Sequence, residues 1–415
     1  MGARIYGLLG RRLEHSFSVP IHQALGNEGY RLIELEPRAL PAFLSRGDLG
    51  GLNVTIPYKR EVMRYCDGLS PEAERIGSVN TLVRRADGRI WGYNTDQYGF
   101  LHMVRQAGIV PAGKKVLVLG SGGTSLTARA ALQTLGAAEV VVISRRGEEN
   151  YDTLHRHADA AVIVNTTPVG MYPDCPTAVL SLASFPRCQG VVDVIYNPRR
   201  TALLLEARRL GIPHTGGLPM LTAQAKAAEE LFFQRDLPDS LVDDITASLR
   251  RETENIVLIG MPGSGKSTVG ELLARHTGRP LIDIDQEVAA ADGRSIPAIF
   301  AQDGEAGFRA LERAAIRQAG RRTGVIIATG GGAVLHEEHY APLKQNGRIY
   351  HLSRPRRLLA VEGRPLSKDG EALRRMEADR APLYARFRDV EVNNSGSPAE
   401  AALQIWSDFN AYSGD

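Results

Sequence analysis

The stretch LIGMPGSGKSTVG, Leu258 to Gly270, decides how this chain is read. It fits G-x-x-x-x-G-K-[ST], with Gly260, Gly265, Lys266 and Ser267 in register. The apolar run Ile256, Val257, Leu258 and Ile259 precedes it, and the helical pattern VGELLARH follows. A strand, a loop and a helix in that order let successive backbone N–H groups cradle a triphosphate. Lys266 then reaches the β- and γ-phosphates, the Ser267 hydroxyl ligates Mg²⁺, and Gly263 and Thr268 complete the loop. A second glycine-rich turn, VLVLGSGGTS, ends at Ser125. One chain therefore carries two phosphate cradles, and the question is what each holds.

At 415 residues the chain is too long for one core, and the length suggests about three compact units. With 43% hydrophobic and 23% charged residues the composition is that of a globular protein. A net charge of +3 with scattered arginines falls short of a nucleic-acid footprint. Cys66, Cys175 and Cys188 are an odd, unpatterned set, which favours a reducing compartment over disulfides or zinc. MGARIYGLLGRR has no long apolar segment, and no run approaches the length of a membrane span. These features point to the cytoplasm, to small-molecule partners, and to neither membrane nor nucleic acid.

Short apolar runs (VVVIS, AVIVN, VVDVI, IVLI, VIIA) alternate with helical patterns, the grammar of parallel α/β sheets. The charge-rich segment from Gln234 to Asn255 is the best boundary and contains helix-like pieces. KKVLVLG opens a fresh nucleotide-fold pattern near Lys114. The expected division is a first domain over 1–235, a linker over 236–253, and a phosphate-loop domain over 254–415. Within the first domain, about 101–217 reads as a dinucleotide unit, with about 1–100 plus 218–235 as its companion.

In the first cradle Gly120, Gly122 and Gly123 lie between a strand and a helix, as a pyrophosphate site requires, although Ser125 takes the third position of G-x-G-x-x-G. The next strand ends in Ser144, Arg145 and Arg146, where an NAD enzyme would place an acidic residue. Arginine there suits a 2′-phosphate, hence NADP(H); Glu148 and Glu149 follow closely.

HSFS (15–18), GLNVTIPYK (51–59), IGSVNT (76–81), GYNTDQYGF (92–100), NTTPVGM (165–171), DVIYNPRRT (193–201) and GGLPMLTAQA (216–225) together resemble shikimate dehydrogenase, in family order, over about residues 4–235. The resemblance implies a two-subdomain enzyme with a Rossmann NADP domain. Ser16, Ser18 and Tyr196 would meet the substrate carboxylate, and Thr55, Asn80 and Gln224 its ring hydroxyls. Lys59 beside Asp96 would be the proton-transfer pair, and Gly217 would join the cofactor site. The chain departs from the family at Val19-Pro20, at Tyr58 in place of a histidine, and at Glu149 in place of a second cofactor arginine.

Beyond the second cradle, LIDIDQEV sets Asp283 and Asp285 two apart on an expected strand end, both carboxylates facing one way. GEAGFRALE sets Arg309 and Glu312 three apart on one helix face. ATGGGAVL supplies Gly330, Gly331 and Gly332; RPLS and DRAPLY add Arg364 and Arg380. This set resembles shikimate kinase over about residues 254–395. It implies a P-loop NTPase-type parallel sheet that uses ATP with Mg²⁺. Asp283 and Ser267 would place the metal, and Asp285 would hold and help deprotonate shikimate. Arg309 and Arg380 would pair with its carboxylate, Gly331 and Gly332 would close on it, and Arg364 would come from a lid shorter than usual.

The chain thus reads as α/β throughout, a fusion of two consecutive steps: NADPH-dependent reduction of 3-dehydroshikimate, then phosphorylation of shikimate to shikimate 3-phosphate. Two rivals stay open. One is a front half that senses shikimate without catalysis, against which both Lys59 and Asp96 argue. The other is a quinate/shikimate dehydrogenase using NAD, against which Arg145 and Arg146 argue.

Overall fold

The computed structural model describes residues 4–13, 16–173, 177–359 and 370–412. It divides into two compact units. The first comprises Met1–Gly170, Thr177–Tyr196 and Leu203–Thr246; the second comprises Met171–Pro176, Asn197–Ala202 and Ala247–Asp415.

The first unit holds two sheets. One is built from β1 (Ile5–Gly10), β2 (Arg31–Glu34), β3 (Leu49–Val54), β4 (Gly68–Leu69), β5 (Thr81–Arg84) and β6 (Ile90–Tyr93), in the order β2-β1-β3-β5-β6-β4. β1 pairs in parallel with β2 and β3, whereas β5 runs antiparallel to both β3 and β6. The other sheet is wholly parallel: β7 (Lys115–Leu119), β8 (Glu139–Ile143), β9 (Val162–Asn165), β10 (Gly190–Asp193) and β11 (His214–Thr215), in the order β11-β10-β9-β7-β8. β9 and β10 are buried along their whole length, as strands covered on both faces must be, and this explains their unbroken apolar reading.

Helices stitch the two sheets together. The Thr95–Gln106 helix leaves the first sheet and leads to β7; the Leu218–Phe233 helix returns after β11. Close approach depends on missing side chains. A Cβ on Gly99 would come 2.5 Å from the Met220 carbonyl oxygen, and one on Gly51 would collide with the Phe232 ring.

The second unit carries one parallel sheet: β12 (Asn255–Ile259), β13 (Leu281–Asp283), β14 (Ile326–Ala328), β15 (Gly347–Ser353) and β16 (Val390–Asn393), ordered β13-β14-β12-β15-β16. Val257, Ile259, Ile327 and Ile349 face one apolar layer, and Ile256, Leu258, Ile326 and Leu352 face another. Central β12 feeds the phosphate loop and the Lys266–Thr277 helix. Much of the expected linker is the Ser240–Thr253 helix, whose Val242, Ile245 and Leu249 are buried. Among the described residues no helix is long and apolar enough to cross a membrane.

Candidate active sites

In the first unit Lys59 follows the loop after β3, and Asp96 sits in the first turn of the Thr95–Gln106 helix, which Asn94 caps by accepting from the Gln97 N–H. Lys59 Nζ donates to Asp96 Oδ2 at 2.5 Å, with side chains 22% and 12% exposed. Next to Asp96, Thr95 opens a buried polar wall. Its N–H donates to Asn80 Oδ1 at 2.7 Å, and Asn80 Nδ2 donates to Thr95 Oγ1 at 3.0 Å and to Gln224 Oε1 at 3.4 Å. Asn80 and Gln224, far apart in sequence, thus meet beside the Lys59–Asp96 pair. Thr55 is half-buried at the C-terminal end of β3, its N–H bonded to the Leu9 carbonyl.

Ser16 Oγ accepts from the Ser18 N–H at 3.2 Å. Phe17 between them lies 5.5 Å from the Tyr196 ring, which brings the three hydroxyl residues into one neighbourhood. Burial raises the Tyr196 pKa and keeps its O–H a donor. Gly217 caps the Leu218–Phe233 helix with no room for a side chain, since a Cβ would strike the Val194 carbonyl. His15 lies outside the described residues.

The glycine turn after β7 fits a dinucleotide. Gly120 has φ +102°, a conformation that disfavours other residues. Gly122 precedes the Gly123–Thr134 helix and offers no side-chain cap, leaving the first-turn N–H groups to an anion. A Cβ on Gly122 or Gly123 would meet nothing within 4 Å, so space lies open before that turn. Ser144, Arg145 and Arg146 follow β8 directly, and both arginines are exposed. Glu149 is engaged elsewhere: it accepts from Thr153 Oγ1 at 2.8 Å and pairs with His157 Nε2 at 3.0 Å. The His157 and Thr153 bonds hold its carboxyl below the usual range.

In the second unit Gly260, Gly263 and Gly265 have φ of +151°, +81° and +92°. The loop therefore turns its N–H groups inward as few other residues could. The Lys266–Thr277 helix has no side-chain cap at Gly265, again the condition for an anion. Lys266 Nζ donates to the Gly260 and Met261 carbonyls at 2.9 and 3.0 Å. Ser267 Oγ donates to Asp283 Oδ2 at 2.7 Å, an oxygen pair suited to Mg²⁺.

The expectation that Asp283 and Asp285 share a strand face is corrected. β13 ends at Asp283, whose carboxylate caps the Ile284–Asp292 helix by accepting from the Asp285 and Gln286 N–H groups. The cap turns the chain, so Asp283 faces Ser267 while Asp285 lines a neighbouring cleft. That cleft, about 610 Å³, runs from Lys266, Ser267 and Thr268 to Asp285, Arg309, Gly331, Gly332 and Arg380. Arg309 Nη1 donates to the fully buried Glu312 at 2.6 Å, as their spacing on one helix face implied. Arg380 Nη1 and Tyr384 O–H both donate to the Gly331 carbonyl, at 3.0 and 2.7 Å, which fixes the glycine run. A Cβ on Gly330 would sit 3.0 Å from Asp285 Oδ1, and one on Gly331 would strike Pro262. Arg364, in the expected lid, lies outside the described residues.

Sequence reasoning missed supporting residues. Thr95, Thr81 and Asn53 build the polar wall. Phe300 and Met376 line the kinase cleft, and Asn394 Nδ2 braces the phosphate loop through the Ser264 carbonyl at 2.7 Å. Asn53, Thr81 and Thr95 stand in quoted blocks without a role of their own there; Phe300, Met376 and Asn394 carry no local signal, because their roles arise from distant segments.

Comparison with known proteins agrees with this geometry. A family model for the shikimate dehydrogenase substrate binding domain matches residues 8–82, and one for shikimate kinase matches residues 262–410. A shikimate dehydrogenase (NADP(+)) of Clostridium beijerinckii is 33% identical over 266 residues, covering 60% of this chain and 98% of that protein. A chorismate mutase/shikimate 5-dehydrogenase fusion from Clostridium acetobutylicum is 34% identical with a TM-score of 0.57, over 60% of this chain and 98% of that one. Shikimate 5-dehydrogenase from Thermus thermophilus, solved with NADP(H) and shikimate, is 32% identical with a TM-score of 0.53, over 59% and 99%. The chain therefore belongs to the shikimate dehydrogenase family and carries, behind that portion, a shikimate kinase domain.

Proposed function

We propose that the chain is a bifunctional enzyme that reduces 3-dehydroshikimate to shikimate with NADPH and then phosphorylates shikimate with ATP. The observation that carries this is that one chain holds both arrangements: Lys59–Asp96 at 2.5 Å beside the Asn80–Gln224 wall, and one cleft joining Lys266 and Ser267 to Asp285, Arg309 and Arg380.

In the first site NADPH, when bound, supplies the hydride that reduces the ketone carbon. The chain's own residues do the rest. Ser16, Ser18 and Tyr196 hold the carboxylate; Thr55, Asn80 and Gln224 orient the ring. Lys59 donates a proton to the developing oxyanion, and Asp96 orients and charge-balances the ammonium. Gly120, Gly122, Gly123 and Gly217 would seat the cofactor, with Ser144, Arg145 and Arg146 at its 2′-phosphate.

In the second site Arg309 and Arg380 grip the shikimate carboxylate as guanidinium forks. Asp285 accepts the hydroxyl proton as the new O–P bond forms and the bond to ADP breaks. The loop of Gly260, Gly263, Gly265 and Thr268 cradles the phosphates, and Lys266 offsets their charge. Ser267 and Asp283 would hold Mg²⁺, and Arg364 would add positive charge from the lid. We place both activities in the cytoplasm, supported by the free thiols of Cys66 and Cys188, whose pKa values burial raises.

The test supplies purified protein with 3-dehydroshikimate, NADPH, ATP and Mg²⁺ and separates the products. Shikimate 3-phosphate is expected. Shikimate that accumulates unphosphorylated, or unreacted 3-dehydroshikimate, would refute one half or the other.

A further inference from the structure

Behind the polar wall lies a buried group that the proposed chemistry does not use. His22, on the Ser18–Ala24 helix, and Glu229, on the Leu218–Phe233 helix, have fully buried side chains, and His22 Nδ1 bonds Glu229 Oε1. Asn27 Nδ2 donates to the same oxygen at 2.9 Å. The Tyr30 ring stacks on the imidazole with centroids 3.7 Å apart and planes 5° from parallel. Tyr30 O–H then donates to Asn53 Oδ1 at 2.8 Å, Asn53 Nδ2 to Thr81 Oγ1 at 3.3 Å, and Thr81 Oγ1 to Asn80 Oδ1 at 3.1 Å. The bonded and stacked chain that begins at Glu229 ends on a residue of the substrate pocket.

The placement of the pair matters more than its strength. A buried polar pair contributes little net stability compared with apolar residues of the same volume, but its bonds are directional. Ser18 heads the helix that carries His22, one turn upstream of it. Gln224 lies little more than a turn before Glu229. The pair therefore ties together two helices that each present a substrate-site residue. Among the described residues His22 Nε2 and Glu229 Oε2 have no hydrogen-bond partner, so the contact between the two side chains runs through Nδ1 and Oε1. Burial lowers the His22 pKa, which leaves a neutral ring donating from Nδ1.

We propose that His22 and Glu229 are positioning residues for the dehydrogenase, locking the helix that begins at Ser18 against the helix that carries Gln224. This role rests on the activity proposed above.

The test combines His22→Leu with Glu229→Met in the full chain. It removes both partners together, so neither is left buried without the other. The expected result is a KM for shikimate raised roughly tenfold, while the KM for NADP⁺, the rate of ADP release and the melting temperature stay near wild type. An unchanged shikimate KM would overturn the role. A fall of every dehydrogenase constant in step with the folded fraction would also overturn it, because that is what mere structural support predicts. Should the double variant not fold, His22→Asn and His22→Gln decide. Asparagine places a donor where Nδ1 stands and should keep the shikimate KM, whereas glutamine places one where Nε2 stands and should raise it; equal values would overturn the proposal. A wild-type chain that cannot reduce NADP⁺ with shikimate would overturn the activity and this role together. An active wild type with an unaltered double variant would overturn this role alone.

Discussion

Lys59 and Asp96 retain enough exposure to meet a substrate and enough burial for their 2.5 Å contact to resist screening. Replacing Lys59 by methionine keeps the aliphatic stem and removes the proton. The kcat for shikimate oxidation should drop roughly a hundredfold or more with KM little changed, measured by NADP⁺ reduction. At the cofactor end, Arg145→Ala should raise the KM for NADP⁺ roughly tenfold or more beyond its effect on NAD⁺, the size of a charge-assisted contact. Equal effects on both cofactors would remove Arg145 from 2′-phosphate recognition. Glu149, which stood in the sequence as a competing charge, is engaged by Thr153 and His157. Such engagement is not legible in sequence, since it depends on how the segment after β8 folds back on itself.

The elements themselves were the most legible part. Continuous apolar runs became the buried parallel strands β9, β10, β12 and β14 and the half-buried edge strand β8, and the glycine turns became the uncapped starts of two helices. The Asp283–Asp285 pairing fails because period-two alternation was carried two residues past the end of a strand. An aspartate at that junction caps the next helix, and capping overrides alternation. His351 on β15 stacks on Tyr384 of the Gly370–Phe387 helix, centroids 4.6 Å apart, and burial pushes its pKa down to about 4. In the unfolded chain the ring titrates near the ordinary histidine value of 6.5. Between those values the unfolded state binds a proton that the folded state refuses, so stability falls as the pH drops from about 6.5 towards 4. His351→Phe, which can keep the stack without the proton, should flatten the decline of the kinase domain's melting temperature across that window. An unchanged slope would show that other groups set it.

At the scale of the whole molecule, two proposed sites in one chain do not by themselves make a channel. A tether raises the effective concentration of attached groups, whereas released shikimate leaves by diffusion. The two chemistries are therefore expected to be independent, each failing alone when its own lysine is replaced. The most direct measurement supplies shikimate, NADP⁺, ATP and Mg²⁺ to one purified chain and records NADP⁺ reduction and ADP release separately, for wild type, Lys59→Met and Lys266→Ala. Both signals are expected for wild type, loss of NADP⁺ reduction alone for Lys59→Met, and loss of ADP release alone for Lys266→Ala. A wild type lacking either signal, or a single substitution that abolishes both, would contradict that expectation.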